Sequence, residues 1–413
     1  MSEERALPPS QPGNDGSTVL FRGGQVVDHP GADALLVEGE RIAAIGSGEA
    51  LAPRASTVID LNGDWLSPGF VDTHVHMTGN GSHTAPTDMA RDSREVLLLQ
   101  AAENARRALA EGITTMRDCG ARNDVIFPFR DAARAGTVTA PNILACGGAL
   151  TRTGGHGHWW DLEADSDDEV RKRVREQSKA GADSLKVMVD GGIDLGRHAP
   201  GLLYFDPDAL RVVVREANDW GLRVAAHCLT ADGVRAAVAA GVTSVEHAIF
   251  YERDDDATRY DPQVAAEMAD RGIYASPGPA FAYDVLTDPA AVTTFPRNAR
   301  LFDQHLADDA RLYEQGVALV ASTDAGWYAT PFGEFARVAE LFVGRAGLSP
   351  RAAFDACTSV SAQSLGLGSR TGSIREGMDA DLVVLGADPT RDVSAMRSVR
   401  LTMVRGQVRY RAA

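Results

Sequence analysis

Pro68-Gly69-Phe70-Val71-Asp72-Thr73-His74-Val75-His76 is the stretch of sequence that decides the fold. Its apolar residues predict a strand, and side chains two positions apart in a strand point to the same face. His74 and His76 are therefore expected to project together from the end of this strand, where two imidazoles can hold one metal ion. The remaining candidate ligands should then lie where other strands end.

Downstream of Gly69, short apolar runs alternate with amphipathic segments, and this alternation predicts parallel βα units. Several predicted helices end in glycine just before the next strand, as at Gly112 and Gly181. The predicted fold class is α/β, a (β/α)8 TIM barrel whose active site lies at the C-terminal ends of the strands. The eight predicted strands are Phe70–Val75, Thr114–Arg117, Asn142–Cys146, Ser184–Val189, Arg223–Ala226, Ser244–Glu246, Tyr274–Ser276 and Ala318–Ala321.

Glycine-punctuated, alternating segments near both chain ends predict further short strands. We expect a small β-sandwich domain formed by both chain ends, from residues 18–67 and 366–413. The barrel should occupy residues 68–365 and include a further helix at Pro350–Ser364. Residues 1–17 are rich in Glu, Pro, Gly and Ser, a composition that predicts a disordered leader.

Composition and charge narrow the possible partners. The chain has 413 residues, of which 44% are hydrophobic and 24% charged, as in ordinary globular proteins. A net charge of -16 without any basic run argues against a nucleic-acid partner, and no apolar run is long enough to span a membrane. We expect a small-molecule substrate and a homo-oligomer. Four dispersed cysteines without a CxxC pair indicate reduced thiols and predict a cytoplasmic protein: Cys119, Cys146, Cys228 and Cys357.

Four more of the predicted strands each carry a metal-competent side chain, in the strand or just after it, namely Lys186, His227, His247 and Asp324. Imidazole nitrogen and carboxylate oxygen are ligands that suit zinc and similar metals. The ammonium group of a lysine has no lone pair and is a poor ligand. Lys186 becomes a ligand if its amine reacts with carbon dioxide to form a carbamate. Together with the two histidines of the first strand, this set predicts two divalent metal ions, with Zn2+ as the expected metal.

The set resembles the amidohydrolase superfamily, and the resemblance covers the chain from the Gly24 region to Tyr410. It implies that His74, His76 and Asp324 hold the more buried ion. It also implies that His227 and His247 hold the second ion and that carboxylated Lys186 bridges the two. The motifs that carry the resemblance are Pro68–His76, Lys186, His227, His247, Ser322–Gly326 and Gly372–Leu385.

Thr151–His158 and Leu185–Gly192 are similar to stretches of the imidazolonepropionase-related branch, which includes binuclear dipeptidases of the prolidase and Xaa-Arg type. That similarity implies that His156 grips substrate and takes part in catalysis. It also implies a substrate contact two residues after the strand-five histidine, where those enzymes have tyrosine. This chain has Leu229 there, so the substrate is expected to lack a free C-terminal carboxylate or to have it bound elsewhere. Other predicted substrate contacts are His158, Trp159 and Trp327.

The leading interpretation is a binuclear metal-dependent hydrolase. A metal-bridging hydroxide would attack the carbonyl of an amide-type bond (dipeptide, N-acyl amino acid, cyclic amide or carbamate), with Asp324 as general base and acid. One alternative is a mononuclear deaminase or an imidazolonepropionase-like ring hydrolase. Deaminases of this superfamily place Glu three residues after the strand-five histidine, where this chain has Thr230. The other alternative is a non-catalytic scaffold, although all six candidate ligands are present.

Overall fold

A computed structural model describes residues 17–191, 201–252, 257–278 and 296–413. The predicted leader, residues 1–17, lies outside the described residues except for Ser17. The fold is α/β: parallel strands in the middle of the chain alternate with helices, and mixed sheets are built near the chain ends.

The N-terminal segment forms a four-stranded sheet in the order β4-β3-β1-β5. Strand β1 runs antiparallel to β3 and parallel to β5. The chain turns between β3 and β4 at Gly39, whose φ of +57° favours glycine. The elements of this segment are β1 (Thr18–Arg22), β2 (Gln25–Val26), β3 (Ala34–Glu38), β4 (Arg41–Gly46), α1 (Gly48–Leu51), β5 (Thr57–Asp60) and β6 (Trp65–Pro68).

Seven of the eight predicted central strands are confirmed. They form two parallel sheets, β7-β8-β9 and β10-β11-β12-β15, while the short strands β13 and β14 pair antiparallel with each other. Their side chains are almost all buried, as expected for parallel strands covered on both faces. The strands are β7 (Phe70–Val75), β8 (Ile113–Asp118), β9 (Asn142–Ala145), β10 (Ser184–Met188), β11 (Arg223–His227), β12 (Ser244–Glu246), β13 (Tyr251–Glu252), β14 (Ala257–Thr258) and β15 (Tyr274–Ser276).

The eighth predicted strand, Ala318–Ala321, does not form a continuous strand, which corrects the prediction. Single parallel bridges join Leu319 to Ala275 and Ala325 to Val75. The N–H of Ala321 instead donates to the carbonyl of Ala356 and to the hydroxyl of Ser361. The segment therefore lies between β15 and β7, but part of its hydrogen bonding goes to the helices behind it.

Helices connect the central strands, and some of them begin at a polar N-cap and end at a left-handed glycine, as α5, α7 and α8 do. The Thr230 side chain accepts a hydrogen bond from Gly233 N at the start of α7, and left-handed Gly241 ends that helix. No helix in the described ranges is both long enough and apolar enough to cross a membrane. The helices are α2 (Ala85–Arg91), α3 (Arg94–Ala110), α4 (Asn123–Arg134), α5 (Asp167–Ala180), α6 (Pro207–Asp219), α7 (Ala231–Ala240), α8 (Pro262–Arg271), α9 (Pro296–Glu314) and α10 (Phe335–Gly344).

The single helix predicted at Pro350–Ser364 is two helices, α11 (Pro350–Ala356) and α12 (Ser359–Ser364). Thr358 interrupts the helical backbone with φ -133° and ψ -93°. The break frees the carbonyl of Cys357, which accepts a hydrogen bond from Val71 N in β7. The helix is thus broken where it holds the strand that carries the paired histidines.

The C-terminal strands join strands from the N-terminal segment in one five-stranded sheet, ordered β18-β17-β16-β6-β2. The sheet passes directly into the central strands, because β6 leads through Gly69 into β7. A Cβ atom at Gly69 would lie 2.2 Å from the Thr114 side chain, so only glycine fits there. The domain boundaries stay a prediction. The strands of this segment are β16 (Leu382–Leu385), β17 (Val399–Val404) and β18 (Gln407–Arg411).

Candidate metal centre

The two histidines at the end of β7 are buried and fixed in orientation. His74 Nδ1 lies 2.9 Å from Glu246 Oε2. His76 Nδ1 lies 3.0 Å from the carbonyl oxygen of Gly120, and because a carbonyl only accepts, this nitrogen carries the proton. Each ring therefore leaves its Nε2 available, as in histidines whose second nitrogen is held by a hydrogen bond while the first binds a metal.

Asp324 meets both of these nitrogens from the loop that follows the eighth predicted strand. Its Oδ1 lies 3.4 Å from His74 Nε2 and 3.2 Å from His76 Nε2. Asp72 holds this loop, because it accepts hydrogen bonds from the hydroxyl and the N–H of Thr323. Asp324 itself has a φ of +55°, a left-handed conformation that costs of order 1–3 kcal/mol and is often found at functional sites.

The other three candidate ligands lie beside this group. Lys186 Nζ is 3.4 Å from His74 Nε2, and Lys186 is fully buried. The ring centroids of His227 and His247 are 4.7 Å apart, and those of His74 and His247 are 5.1 Å apart. His247 also has a left-handed backbone, with φ +65°. The structure brings all six predicted ligand residues into one cluster.

Electrostatics favour the metal-binding protonation state for three of the six candidate ligands, His227, His247 and Asp324. Burial opposes protonation of His74, but the nearby Cys119, Asp324 and Glu246 outweigh it and raise the pKa of this ring above its usual value. Burial lowers the pKa of both His227 and His247 well below the usual value, so both rings are neutral near pH 7. Burial opposes ionisation of Asp324, but the neighbouring His74 and His76 outweigh it and hold the pKa of this carboxyl below its usual value. Neutral imidazoles and an ionised carboxylate are the forms that coordinate a divalent cation.

The spacing of these donor atoms fits a divalent ion. Ligands about 2.0–2.1 Å from a tetrahedral zinc ion lie roughly 3.4 Å from one another, close to the distances between Asp324 Oδ1 and the Nε2 atoms of His74 and His76. Asp324 Oδ1 and His227 Nε2 are buried, yet neither has a hydrogen-bond partner among the described residues. Buried polar atoms normally have partners, so these two donors suit a ligand such as a metal ion.

Arg117 and Glu246 form a buried charged support beneath His74. Arg117 Nη2 donates to Glu246 Oε1 at 2.7 Å, and Arg117 Nε donates to the carbonyl of Thr73 at the same distance. Burial raises the pKa of Glu246, but Arg117 and His74 outweigh it and keep the pKa well below its usual value. Cys119 also lies close to His74 and Glu246. Glu246 already contacts Arg117 and His74, so we assign no metal ion to these three residues.

Asp190 fixes the loop after β11. It accepts hydrogen bonds from the N–H groups of Leu229 and Thr230 and from the Thr230 hydroxyl. Leu229 is 8% exposed and packs with Ile249, Tyr251 and Leu301. Its side chain belongs to an apolar cluster, and its role as a substrate contact stays a prediction.

The remaining predicted contacts form an aromatic region over the ligand cluster. The His156 ring stacks on that of His227, with centroids 4.9 Å apart and planes at 28°. Trp159 and Trp327 both meet His156 edge to face. His158 is exposed on the same loop, with its ring 5.3 Å from Trp159. His156 and the two tryptophans thus come together next to the candidate ligands.

The sequence interpretation overlooked Arg117, and it left Glu246, Trp160 and Asp190 without specific partners. Trp160 stacks on His76, with ring centroids 5.6 Å apart and planes at 14°. The signal for Arg117 was a basic residue inside the apolar run of β8, because a buried arginine requires an acidic partner. No pattern in the sequence could have shown that its partner is Glu246, on a strand more than a hundred residues later.

Comparison with known proteins identifies the family. The amidohydrolase family model matches residues 65–409. Ochratoxinase of Aspergillus niger is 28% identical over 408 residues, covering 89% of this chain and 80% of the relative. Imidazolonepropionase of a Geobacillus species is 23% identical over 392 residues, covering 84% of this chain and 82% of the relative.

Solved structures give the same result. A Xaa-Pro dipeptidase with methionine bound in its active site is 26% identical, with a TM-score of 0.84, over 96% of this chain and all of that one. The Aspergillus niger ochratoxinase structure is 25% identical, with a TM-score of 0.80, over 95% of each chain. The protein belongs to the amidohydrolase family and is a hydrolase of C–N bonds.

Proposed function

We propose that this protein is a binuclear metal-dependent hydrolase of amide-type bonds. The observation that carries the proposal is the convergence of six donor residues in one buried cluster. They come from five separate segments, in or just after β7, β10, β11 and β12 and in the loop after Ala321. His74, His76 and Asp324 would hold one ion, and His227 and His247 the other. Lys186 would bridge the two as a carbamate. Two divalent ions, with Zn2+ the expected metal, would supply Lewis acidity and an activated water nucleophile.

We further propose that the central strands close into a (β/α)8 barrel. Three parallel bridges support this: Leu150 to Val187, Ala275 to Leu319 and Val75 to Ala325. They connect the segment that follows β9 with β10, β15 with the eighth segment, and that segment with β7. A closed ring of parallel strands would explain why polar residues from distant parts of the chain meet at one end.

The chain's own residues would then divide the reaction between them. Asp324 is ionised at neutral pH, so it can accept a proton on a carboxylate oxygen and return it to the nitrogen of the leaving amine. His156 lies beside the ligand cluster and is 5% exposed, a position from which its ring can donate a hydrogen bond to the carbonyl oxygen of the scissile bond. His158, Trp159 and Trp327 would surround the rest of the substrate.

The names of the relatives suggest amide substrates, such as those of an ochratoxinase or a Xaa-Pro dipeptidase. The contacts of Thr230 argue against the deaminase alternative. Its hydroxyl donates to Asp190 at 2.6 Å and accepts from Gly233 N, so it is part of a helix cap. A residue in that role does not carry protons to a substrate. The cytoplasmic location and the homo-oligomer stay predictions.

Metal analysis together with a carbamate assay tests the proposal. We expect about two tightly bound divalent ions per chain. We also expect a carbamate carbon signal by NMR after growth with 13C-labelled bicarbonate, which should be absent in Lys186→Ala. The zinc-loaded protein should hydrolyse at least one member of a panel of dipeptides, N-acyl amino acids, cyclic amides and carbamates. About one ion per chain and no carbamate would contradict the binuclear site.

A further inference from the structure

Two tryptophans from different loops face each other above the candidate metal centre. Trp159 lies on the turn His158–Trp160 after β9, and Trp327 lies three residues after Asp324. Their rings are nearly parallel, with planes at 11° and centroids 6.2 Å apart. Both side chains are partly exposed, whereas Trp160 next to them is buried. This pair therefore presents aromatic faces at the mouth of the site.

The backbone ties the pair to the reacting groups. The N–H of Trp327 donates to the carbonyl of Asp324 at 3.1 Å, so the indole is attached to the turn that holds the proposed proton carrier. The Trp327 and His76 ring centroids are 4.7 Å apart. His156 meets Trp327 at 72° and Trp159 at 78°, forming an end wall between the two. A group held against these rings lies next to the candidate ligands.

The indole nitrogen of Trp159 adds an independent observation. Trp159 Nε1 is buried and has no hydrogen-bond partner among the described residues. An indole N–H can only donate, and buried donors normally find an acceptor. An oxygen atom of a bound molecule would satisfy it. The site thus offers flat aromatic faces and one hydrogen-bond donor.

We propose that the substrate carries an aromatic ring that packs against Trp159 and Trp327, with an oxygen acceptor near the ring that receives the Trp159 indole hydrogen bond. This inference rests on the proposed amide hydrolysis and specifies its substrate class. Leu229 occupies the position where the related dipeptidases have tyrosine, and it packs into an apolar cluster. Its side chain therefore offers the substrate no hydrogen bond. The rings of Trp159 and Trp327 would then provide the main contacts that select the substrate.

Matched ligands that differ only in aromaticity test the inference. Phenylalanine and cyclohexylalanine have side chains of similar volume, but only the first has a π face. Aromatic pairs gain roughly 2- to 10-fold in affinity beyond their buried area. For the zinc-loaded protein, we expect titration calorimetry to show phenylalanine binding more tightly than cyclohexylalanine by about that factor. The kcat/KM for N-acetyl-phenylalanine should exceed that for N-acetyl-cyclohexylalanine by a similar factor.

Variants assign the preference to the two tryptophans. Trp327→Leu should bring the ratio of affinities and the ratio of kcat/KM values for the aromatic and cyclohexyl compounds close to one. Trp327→Phe should retain part of each ratio. Trp159→Phe keeps an aromatic face but removes the N–H, so it should weaken the binding of phenylalanine and of cyclohexylalanine by a similar factor. Trp220→Leu is the matched control, because Trp220 is an exposed tryptophan that follows α6 and contacts Glu216. Unchanged zinc content and circular dichroism show that each variant is folded.

The outcomes separate this inference from the proposed function. Tighter binding of phenylalanine that is lost in Trp327→Leu, without any hydrolysis, supports the aromatic site and contradicts the hydrolase assignment of these substrates. Efficient hydrolysis with equal kcat/KM for the two substrates overturns the aromatic site and leaves the proposed function standing. Equal or absent binding of both amino acids, or an unchanged ratio in Trp327→Leu, also overturns it.

Discussion

The site has two regions of opposite character. We call the first the floor, formed by Arg117, Glu246 and the ligand cluster. Its side chains are buried and polar, and some of them are held by partners on neighbouring strands, as Glu246 is by Arg117 and His74. We call the second the mouth, formed by His156, Trp159 and Trp327. Its aromatic side chains come from loops and contact one another through ring faces and edges.

This difference indicates that the floor controls metal binding, whereas the mouth controls reaction rate and substrate preference. Strand register fixes the floor: Met188 pairs with His227, and His227 with Glu246, in adjacent parallel strands. A change there should disturb metal binding, and with it every substrate. The mouth depends on turns with left-handed residues, such as Gly157 and Asp161 on either side of the two adjacent tryptophans. A change there should alter rates and preferences but leave the metal content intact.

The largest effect should come from Asp324→Asn in the floor. This change removes the proposed proton carrier and weakens one ligand, so kcat should fall by about 10²–10⁴-fold. Kinetics and metal analysis on the same preparation would measure both effects. Asp309→Asn is a matched control because Asp309 is also buried but is not a proposed ligand, and burial raises its pKa well above the usual value, which favours the uncharged form that Asn mimics. Full activity of Asp324→Asn would rule out its catalytic role.

The next effect should come from the mouth. His156→Ala removes the proposed hydrogen-bond donor to the substrate carbonyl, and kcat should fall by about 10²–10³-fold. The zinc content should not change, because His156 is not among the proposed ligands. His29→Ala is the control, because His29 contacts the carbonyl of Ile374 and is not among the predicted site residues. A loss of metal from His156→Ala would break the division between floor and mouth.

Glu246→Gln should affect metal binding without touching any proposed ligand directly. His74 would lose its charged partner, and changes of this kind cost about 10–100-fold in metal affinity or activity. Arg117 would be left as an unpaired buried charge, which destabilises by about 3–5 kcal/mol. Competition with a chelator and chemical unfolding would measure the two effects.

A double variant separates the two effects. Arg117→Met combined with Glu246→Gln removes the unpaired charge and should recover stability. It should not recover zinc affinity, because His74 still faces a neutral amide. If the double variant regained both properties, Glu246 would act only through stability, and the floor would not orient His74.

The floor could be predicted from the sequence much better than the mouth. Each proposed ligand lies in or just after an apolar run, so strand periodicity placed His227, His247 and Lys186 near one end of a parallel arrangement. The break at Thr358 could not be foreseen, because the acceptor it frees serves Val71, nearly three hundred residues earlier. The mouth depends on loop backbone angles, which no periodic pattern specifies. The sequence therefore indicated tryptophans near the site but not their mutual orientation.

The smallest effect on activity, none at all, is expected for a buried carboxylate away from the metal centre. Within the described ranges this carboxylate, Asp381, has no ion pair comparable to that of Glu246 with Arg117, so it shows what burial does to a carboxylate without such a partner. Asp381 is 3% exposed and accepts hydrogen bonds from Arg405 N and from the Asn142 amide. Burial and then the nearby Asp379 raise its pKa from 3.8 to about 6. Between these values the native state binds more protons than the unfolded state, so the free energy of unfolding should fall as pH rises from about 4 to about 6.

The fall should be about 3 kcal/mol, at about 1.4 kcal/mol per pKa unit. Asp381→Asn cannot ionise and should lose this slope while keeping full activity. Urea unfolding of both proteins at pH 4, 5, 6 and 7 would measure the difference between them. Parallel slopes would mean that Asp381 ionises freely despite its burial. In that case burial alone would not keep a carboxylate of this protein neutral, and the charge of Glu246 would not depend on Arg117.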